Sequence, residues 1–214
     1  MSFSRWLLFA SFLLTCTNSY GQNNALIADT VTLNHQKLLR TSADGKFSYL
    51  TTLTGDTVLK NPGYYSDVKF IDINEDGYRD IRAFVFSNTP NQCDNFLFDK
   101  NKKTFRQIED CDLDIQLIKG TPYYFSYNRT GCSDMNWESY LGRIENFRMV
   151  QVGHIDGTGC EGEEQRWIEI YKLHPSSETE TLVKKLPYDK YISGNTDKWT
   201  FIKTYWSKNW RLFK

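Results

Sequence analysis

Asp72, Asn74, Asp76 and Asp80, with Gly77 among them, spell the pattern D-x-N-x-D-G-x-x-D. Side-chain oxygens at its first, third and fifth positions can curl around one hard cation. Gly77 permits the sharp turn, the Tyr78 carbonyl falls at the seventh position and Asp80 at the ninth. Oxygen donors in that number suit Ca²⁺ better than Zn²⁺ or Mg²⁺. The expected ligand set is therefore Asp72, Asn74, Asp76, Tyr78 and Asp80, around an ion that holds structure rather than one that does chemistry. An EF-hand would place a bidentate Glu at the twelfth position, where this chain has Ala83. The flanks, 68–71 and 81–86, are β-branched and aromatic, so the unit reads strand, calcium loop, strand. The competing reading is a metal-free turn, since Asn, Asp and Gly dominate turns in any case.

Other residue types that do chemistry are scattered. His35, His154 and His174 are far apart, and the chain has neither an HExxH nor a GxSxG motif. Acidic neighbours, Glu109 with Asp110 and Glu161, Glu163 and Glu164, read as solvated loop residues. Gly153, Gly157, Gly159 and Gly162 lack the GxxxxGK[ST] context of a phosphate loop and read as a flexible connection. The expectation is a protein without catalytic activity.

Arg5 is followed by an apolar run from Trp6 to Leu14 and then by small and polar residues. That run is shorter than the roughly 20 residues of a membrane-spanning helix. It reads as a secretory signal peptide over residues 1–21, cut after Gly21. Lipidation at Cys16 is the rival reading. No other segment is apolar enough to cross a membrane, and residues 22–214 read as one domain, secreted or periplasmic. With 26 basic and 26 acidic residues the chain carries no net charge, which argues against nucleic acid as the main partner.

Four cysteines beyond the leader, Cys93, Cys111, Cys132 and Cys160, allow three connectivities in an exported protein. Segments 95–98 and 104–108 flank a turn, and Cys93 and Cys111 are equidistant from Lys102 at its middle. Cys132 and Cys160 are equidistant from Asn146, between segments 137–144 and 147–152. Strand pairing therefore favours the bridges Cys93–Cys111 and Cys132–Cys160, each worth about 3 kcal/mol by loop entropy.

The remaining chain reads as short strands: 47–53 pairing with 57–59, then 123–127, 167–173, 198–205 and 206–213. With 15% aromatics and no convincing helical period, the fold class is all-β. It is an antiparallel single domain, propeller-like or a sandwich or barrel, built around the strand–calcium loop–strand unit. Residues 127–137 mix aromatics, arginine and amides, and Tyr127, Arg129, Asp134 and Trp137 are the candidate partner-binding residues. The competing reading is a polar inter-strand loop with Trp137 in the core. The Cys132–Cys160 bridge would hold residues 156–162 beside them.

The loop at 72–80, following a strand, resembles the calcium loops of FG-GAP and VCBS-type propeller blades. The order of loop, hairpin at 95–108, polar loop and hairpin at 137–152 is similar to a family of exported bacterial proteins. That family is propeller-like and calcium-binding. It includes an inhibitor of the muramidase of a type IV secretion system and resembles inhibitors of invertebrate-type lysozyme. The resemblance covers roughly residues 44–172 and implies Ca²⁺ as cofactor. It implies an envelope protein, such as a peptidoglycan hydrolase, as partner. The alternative is a glycan-binding or glycan-cleaving accessory protein. Such inhibitors plug the enzyme cleft with an S-G-x-x-Y loop, and the nearest match here is residues 193–197, with Asp197 in place of Tyr.

Overall fold

The computed structural model describes residues 26–160, 162, 166–175, 177, 179–193 and 197–214. The expected signal peptide, and with it Cys16, lies outside them. Four strands, β1 (Leu26–Leu33), β2 (Gln36–Ala43), β3 (Lys46–Thr52) and β4 (Thr57–Lys60), form an antiparallel meander in that order. A second meander follows: β5 (Tyr65–Ile71), β6 (Asp80–Val85), β7 (Cys93–Asp99) and β8 (Thr104–Gln107). The third sheet contains β9 (Gln116–Leu117), β10 (Tyr123–Phe125), β11 (Asn128–Gly131), β12 (Asn136–Glu145), β13 (Arg148–Thr158), β14 (Trp167–His174) and β15 (Thr179–Pro187). Its order is β15-β14-β13-β12-β10-β9, with β11 also on β12. Among the described residues no sheet closes into a barrel, and the class is mostly antiparallel β.

The turns are built by residues that tolerate left-handed backbone. Asn34 and His35 (φ 50° and 64°) join β1 to β2, and Asn146 and Phe147 (φ 52° and 66°) join β12 to β13. Two successive positive φ values match the twist of paired strands, and Asn is suited to the first position.

The first and second sheets pack face to face. Leu38, Phe47 and Leu50 of one meet Tyr65, Val68 and Ile81 of the other. On the far side of the second sheet, Leu97, Ile108 and Ile115 meet Tyr124 and Met149. Strand β6 is thus covered on both faces, which is why Asp80 and Arg82 are buried along with Ile81 and Ala83.

The C-terminal segment departs from the expected strands. Residues Tyr188–Tyr191 form a short helix, α1, and Asp197–Asn209 form the helix α2, followed by a 3-10 turn, Trp210–Phe213. Trp199, Phe201 and Tyr205 stand at odd positions and mimic the period of a strand. The residues that are buried, Lys198, Ile202 and Trp206, recur every four positions. Asp197 in the first turn and Lys208 in the last complement the helix dipole. Ile202, Trp206 and Phe213 close the third sheet's core with Trp137, Leu141, Ile155 and Ile168.

Three of the four glycines read as a flexible connection, Gly153, Gly157 and Gly159, have a different role. Gly153 and Gly157 are strand residues of β13. A Cβ on Gly153 would strike the Phe213 and Trp206 rings, one on Gly157 the Trp137 ring and one on Gly159 the Tyr188 ring. They are seats for aromatic side chains, where only glycine permits the approach.

Candidate functional site

The 72–80 loop sits where β5 hands over to β6, and its polar side chains turn inward on their own backbone. Asp72 accepts from the amides of Asp76 (3.1 Å) and Gly77 (2.9 Å), Asn74 from Asp76 (3.2 Å) and Asp76 from Tyr78 (3.0 Å). Glu75 and Gly77 carry positive φ, 55° and 90°, which lets the chain wrap. Asn34, in the β1–β2 turn, clamps the loop from outside. Its amide donates to the Arg79 carbonyl (2.8 Å) and its carbonyl accepts from the Arg79 amide (2.6 Å). Nothing in the sequence pattern pairs these residues, which are 45 positions apart.

Asp80 is only 1% exposed, and its two oxygens accept from the Ile73 and Phe98 amides, each at 2.8 Å. Burial pushes its carboxyl up to about 6. The two amide bonds oppose that rise, and the negative charges of Asp76 and Asp72 add to it. Tyr78 stacks on Phe98 with ring centres 5.5 Å apart. Among the described residues no Lys or Arg lies within ion-pair distance of Asp72, Asp76 or Asp80. Nor is there a gathered group of three His, Cys, Asp or Glu with metal-binding geometry. The donors nonetheless fit a hard cation in kind: carboxylates, one amide oxygen and a main-chain carbonyl, with uncompensated negative charge.

The candidate partner surface is a packed polar knot. Tyr127 (3% exposed) and Trp137 (0%) are core residues, which removes them from any docking face. Alternation along β12 turns Trp137 inward with Ser139 and Leu141, while Glu138 and Tyr140 face out. The Tyr127 hydroxyl donates to Asp134, and Lys198 of α2 donates to the Asp134 carboxylate and to its main-chain carbonyl (2.7 Å). The Lys198 ammonium also lies 5.2 Å from the Tyr127 ring centre. Burial and the Asp134 carboxylate hold the Tyr127 hydroxyl far above its ordinary pKa. Cys132, Ser133 and Asp134 all have left-handed backbone (φ 50°, 51° and 74°), which three non-glycine residues in a row adopt only when tied down. The ties are the Asp134 contacts and the Cys132–Cys160 disulfide, whose Cα atoms are 5.7 Å apart. That bridge brings residues 159 and 160 to Asn136, whose side-chain oxygen accepts from both amides (3.0 and 3.1 Å). Arg129 is exposed on β11, and Trp199 leans on Tyr127 with 4.2 Å between ring centres.

The second expected bridge is not formed: Cys93 and Cys111 are free, buried thiols. The regular ladder ends at Gln107 and pairing resumes at Gln92 and Leu113 in a shifted register, so the symmetry about Lys102 does not extend to Cys111. The Asn95 amide contacts both sulfurs, at 3.6 Å for Cys93 and 3.3 Å for Cys111. Its carbonyl accepts from Arg82 (2.8 Å), which also pairs with Asp114 and donates to the Ile115 carbonyl (2.8 Å). Burial pushes both thiols up to about 12.

Of the acidic neighbours, Glu109 and Asp110 both pair with Arg148, at 3.0 and 3.4 Å. Glu161, Glu163 and Glu164 lie outside the described residues. On the outer face of the third sheet His154 stacks between Tyr140 and Tyr171, with ring centres 4.7 and 5.8 Å away. Of the 193–197 motif, residues 194–196 lie outside the described residues. Asp197 folds back as a helix-start residue, accepting from the Ser193 amide (3.2 Å) and hydroxyl. Along α2, Tyr191, Phe201 and Tyr205 line a concavity of about 370 Å³ with Thr200, Thr204 and Asn209.

No protein-family model and no curated protein matches the chain. A solved structure of a Xanthomonas type IV secretion system related protein is similar to it, at 13% identity and a TM-score of 0.46. The match covers 76% of this chain and 95% of that one.

Proposed function

We propose that this is an exported, calcium-stabilised module that acts by binding another macromolecule of the cell envelope and not by chemistry. The observation that carries the calcium reading is the 72–80 loop. Asp72, Asn74, Asp76 and Asp80 share one turn between two strands, Asp80 is buried, and among the described residues no Lys or Arg pairs with them. A Ca²⁺ ion held by Asp72, Asn74, Asp76, Asp80 and the Tyr78 carbonyl supplies the missing charge and locks β5 to β6. Export is supported by the Cys132–Cys160 disulfide, a bond that persists in oxidising compartments. Inhibition of a peptidoglycan hydrolase is the most specific form of the binding role.

Calorimetric titration with Ca²⁺ tests the first part, using the protein that starts at Gln22 beside an Asp72→Ala, Asp76→Ala variant. One site, absent in the variant, with a melting temperature that falls on chelation, is expected. No heat and chelator-independent melting would leave an ordinary turn. For the second part, a turbidity assay of peptidoglycan cleavage by lysozymes is expected to slow at stoichiometric protein. Unaltered clearing rates across invertebrate-type enzymes remove the inhibitor role.

A second reading, glycan binding, is favoured by the groove along α2. Tyr191 and Tyr205 each lie 5.8 Å from Phe201, ring centre to ring centre, beside hydroxyl and amide groups. Aromatic faces with a few placed polar groups suit sugars. Fluorescence titration with peptidoglycan fragments, comparing a Phe201→Ala, Tyr205→Ala variant, separates the readings.

A further inference from the structure

Among the described residues, strand β15 is one edge of the third sheet and pairs only with β14. Its residues 179–185 are all exposed, Leu182 at 50% and Val183 at 42%, and Pro187 ends it. Such an edge offers a row of unpaired backbone donors and acceptors. The register with β14 shifts in the middle: Lys184 faces Ile170 and Leu182 faces Tyr171, leaving Val183 as the extra residue.

The shift decides which side chains share a face. Lys185 stands opposite Glu169 and pairs with it at 2.7 Å, and Glu180 reaches His154 at 3.7 Å, both on the outer face. Alternation from Lys185 puts Lys184 inside and Val183 outside. Alternation from Glu180 puts Thr181 inside and Leu182 outside. The outer face of the edge therefore reads Glu180, Leu182, Val183, Lys185, a sequence complementary to itself when reversed.

We propose that two copies of this chain pair antiparallel, edge to edge, through β15. The two-fold axis lies between Leu182 and Val183. In that register Glu180 of each copy stands opposite Lys185 of the other, Thr181 opposite Lys184, and Leu182 opposite Val183. Every opposed pair lies on one face, as an antiparallel ladder requires. The bulge makes this possible, because without it Glu180 and Lys185 would point to opposite sides. Lysines on an edge strand ordinarily repel a second strand. Here one meets a carboxylate and the other a threonine, and the contact is isologous and closed. Pro187, lacking an amide hydrogen, ends the ladder.

Sedimentation velocity on the protein starting at Gln22, from about 1 μM to about 1 mM, reads the association. A concentration-dependent dimer is expected. Glu180→Lys, which opposes like charges twice, and Leu182→Lys, at the axis, are each expected to weaken it about tenfold or more. Leu53→Lys, at an exposed apolar position (64%) between β3 and β4 of the first sheet, leaves it unchanged. Unchanged thermal unfolding shows that each variant keeps its fold, and Glu180→Lys alone suffices if Leu182→Lys does not. A monomer throughout the range overturns the proposal. So does a dimer indifferent to Glu180→Lys, or one weakened equally by Leu53→Lys.

Discussion

The ammonium of Lys198 reaches across 64 residues of sequence to the carboxylate and the main-chain carbonyl of Asp134, with only 1% of the lysine exposed. One ion pair thus fastens helix α2 to the strained turn beside the disulfide. Removing one partner of a buried pair leaves the other uncompensated, which typically costs about 3–5 kcal/mol. Lys198→Met is expected to lower stability by that order in urea unfolding. Adding Asp134→Asn to it is expected to recover part of the loss.

Asp80 has a role in the fold that does not depend on metal, because its two oxygens receive the Ile73 and Phe98 amides. Asp80→Asn turns an acceptor into a donor facing one of those amides. The expected loss is about 1–3 kcal/mol, measured by urea unfolding in the presence of chelator.

Asp156 lies between Glu138 and Glu169 in the register of β12, β13 and β14. Burial raises its carboxyl above the usual range. His154 opposes that rise, and Glu138, Glu169 and Glu180 add to it. Its folded pKa is above the unfolded one, so the folded protein binds more protons and stability falls as pH rises between the two values. Asp156→Asn is expected to raise the urea midpoint at pH 7 and to flatten its dependence on pH across that window.

Cys93 and Cys111, buried and shifted up to about 12, are expected to resist a maleimide at pH 8 in the folded protein. In denaturant the chain starting at Gln22 is expected to release two thiols. A count of zero means that these two cysteines join on oxidation.

Gly157→Ala drives a methyl group into the Trp137 ring. Backbone and ring must separate, and overpacking of this kind costs about 1–3 kcal/mol. Thermal unfolding, with near-ultraviolet circular dichroism reporting on the tryptophan, measures it.

Local signals were readable wherever neighbours along the chain decide the outcome. The hairpins at β3–β4, β7–β8 and β12–β13 follow from alternating residues around turn formers, and Cys132–Cys160 from its symmetry about Asn146. The same reasoning failed for Cys93–Cys111, because the regular ladder breaks after Gln107 and pairing resumes out of register at Gln92 and Leu113, so the Cys93 amide meets the Asp112 carbonyl. It failed for α2 because three aromatic residues at alternate positions outweighed the four-residue spacing of Lys198, Ile202 and Trp206. The composition around Tyr127 and Trp137 suits an interface, and the competing reading, with Trp137 in the core, is the one the structure bears out. Their burial depends on α2 and on Gly157, which lie far along the chain.

By itself the sequence determined the spacing of oxygens at Asp72, Asn74, Asp76 and Asp80, the turns and most of the strands. Each depends on residues within a few positions of one another. The tertiary structure alone decided that Lys198 is buried against Asp134, that Asn34 clamps Arg79 and that Asp80 faces Ile73 and Phe98. It also decided that β15 is left as an open edge. Whether a group is buried, paired or bare depends on which distant segment the packed sheets bring against it, and short-range patterning carries no information about that.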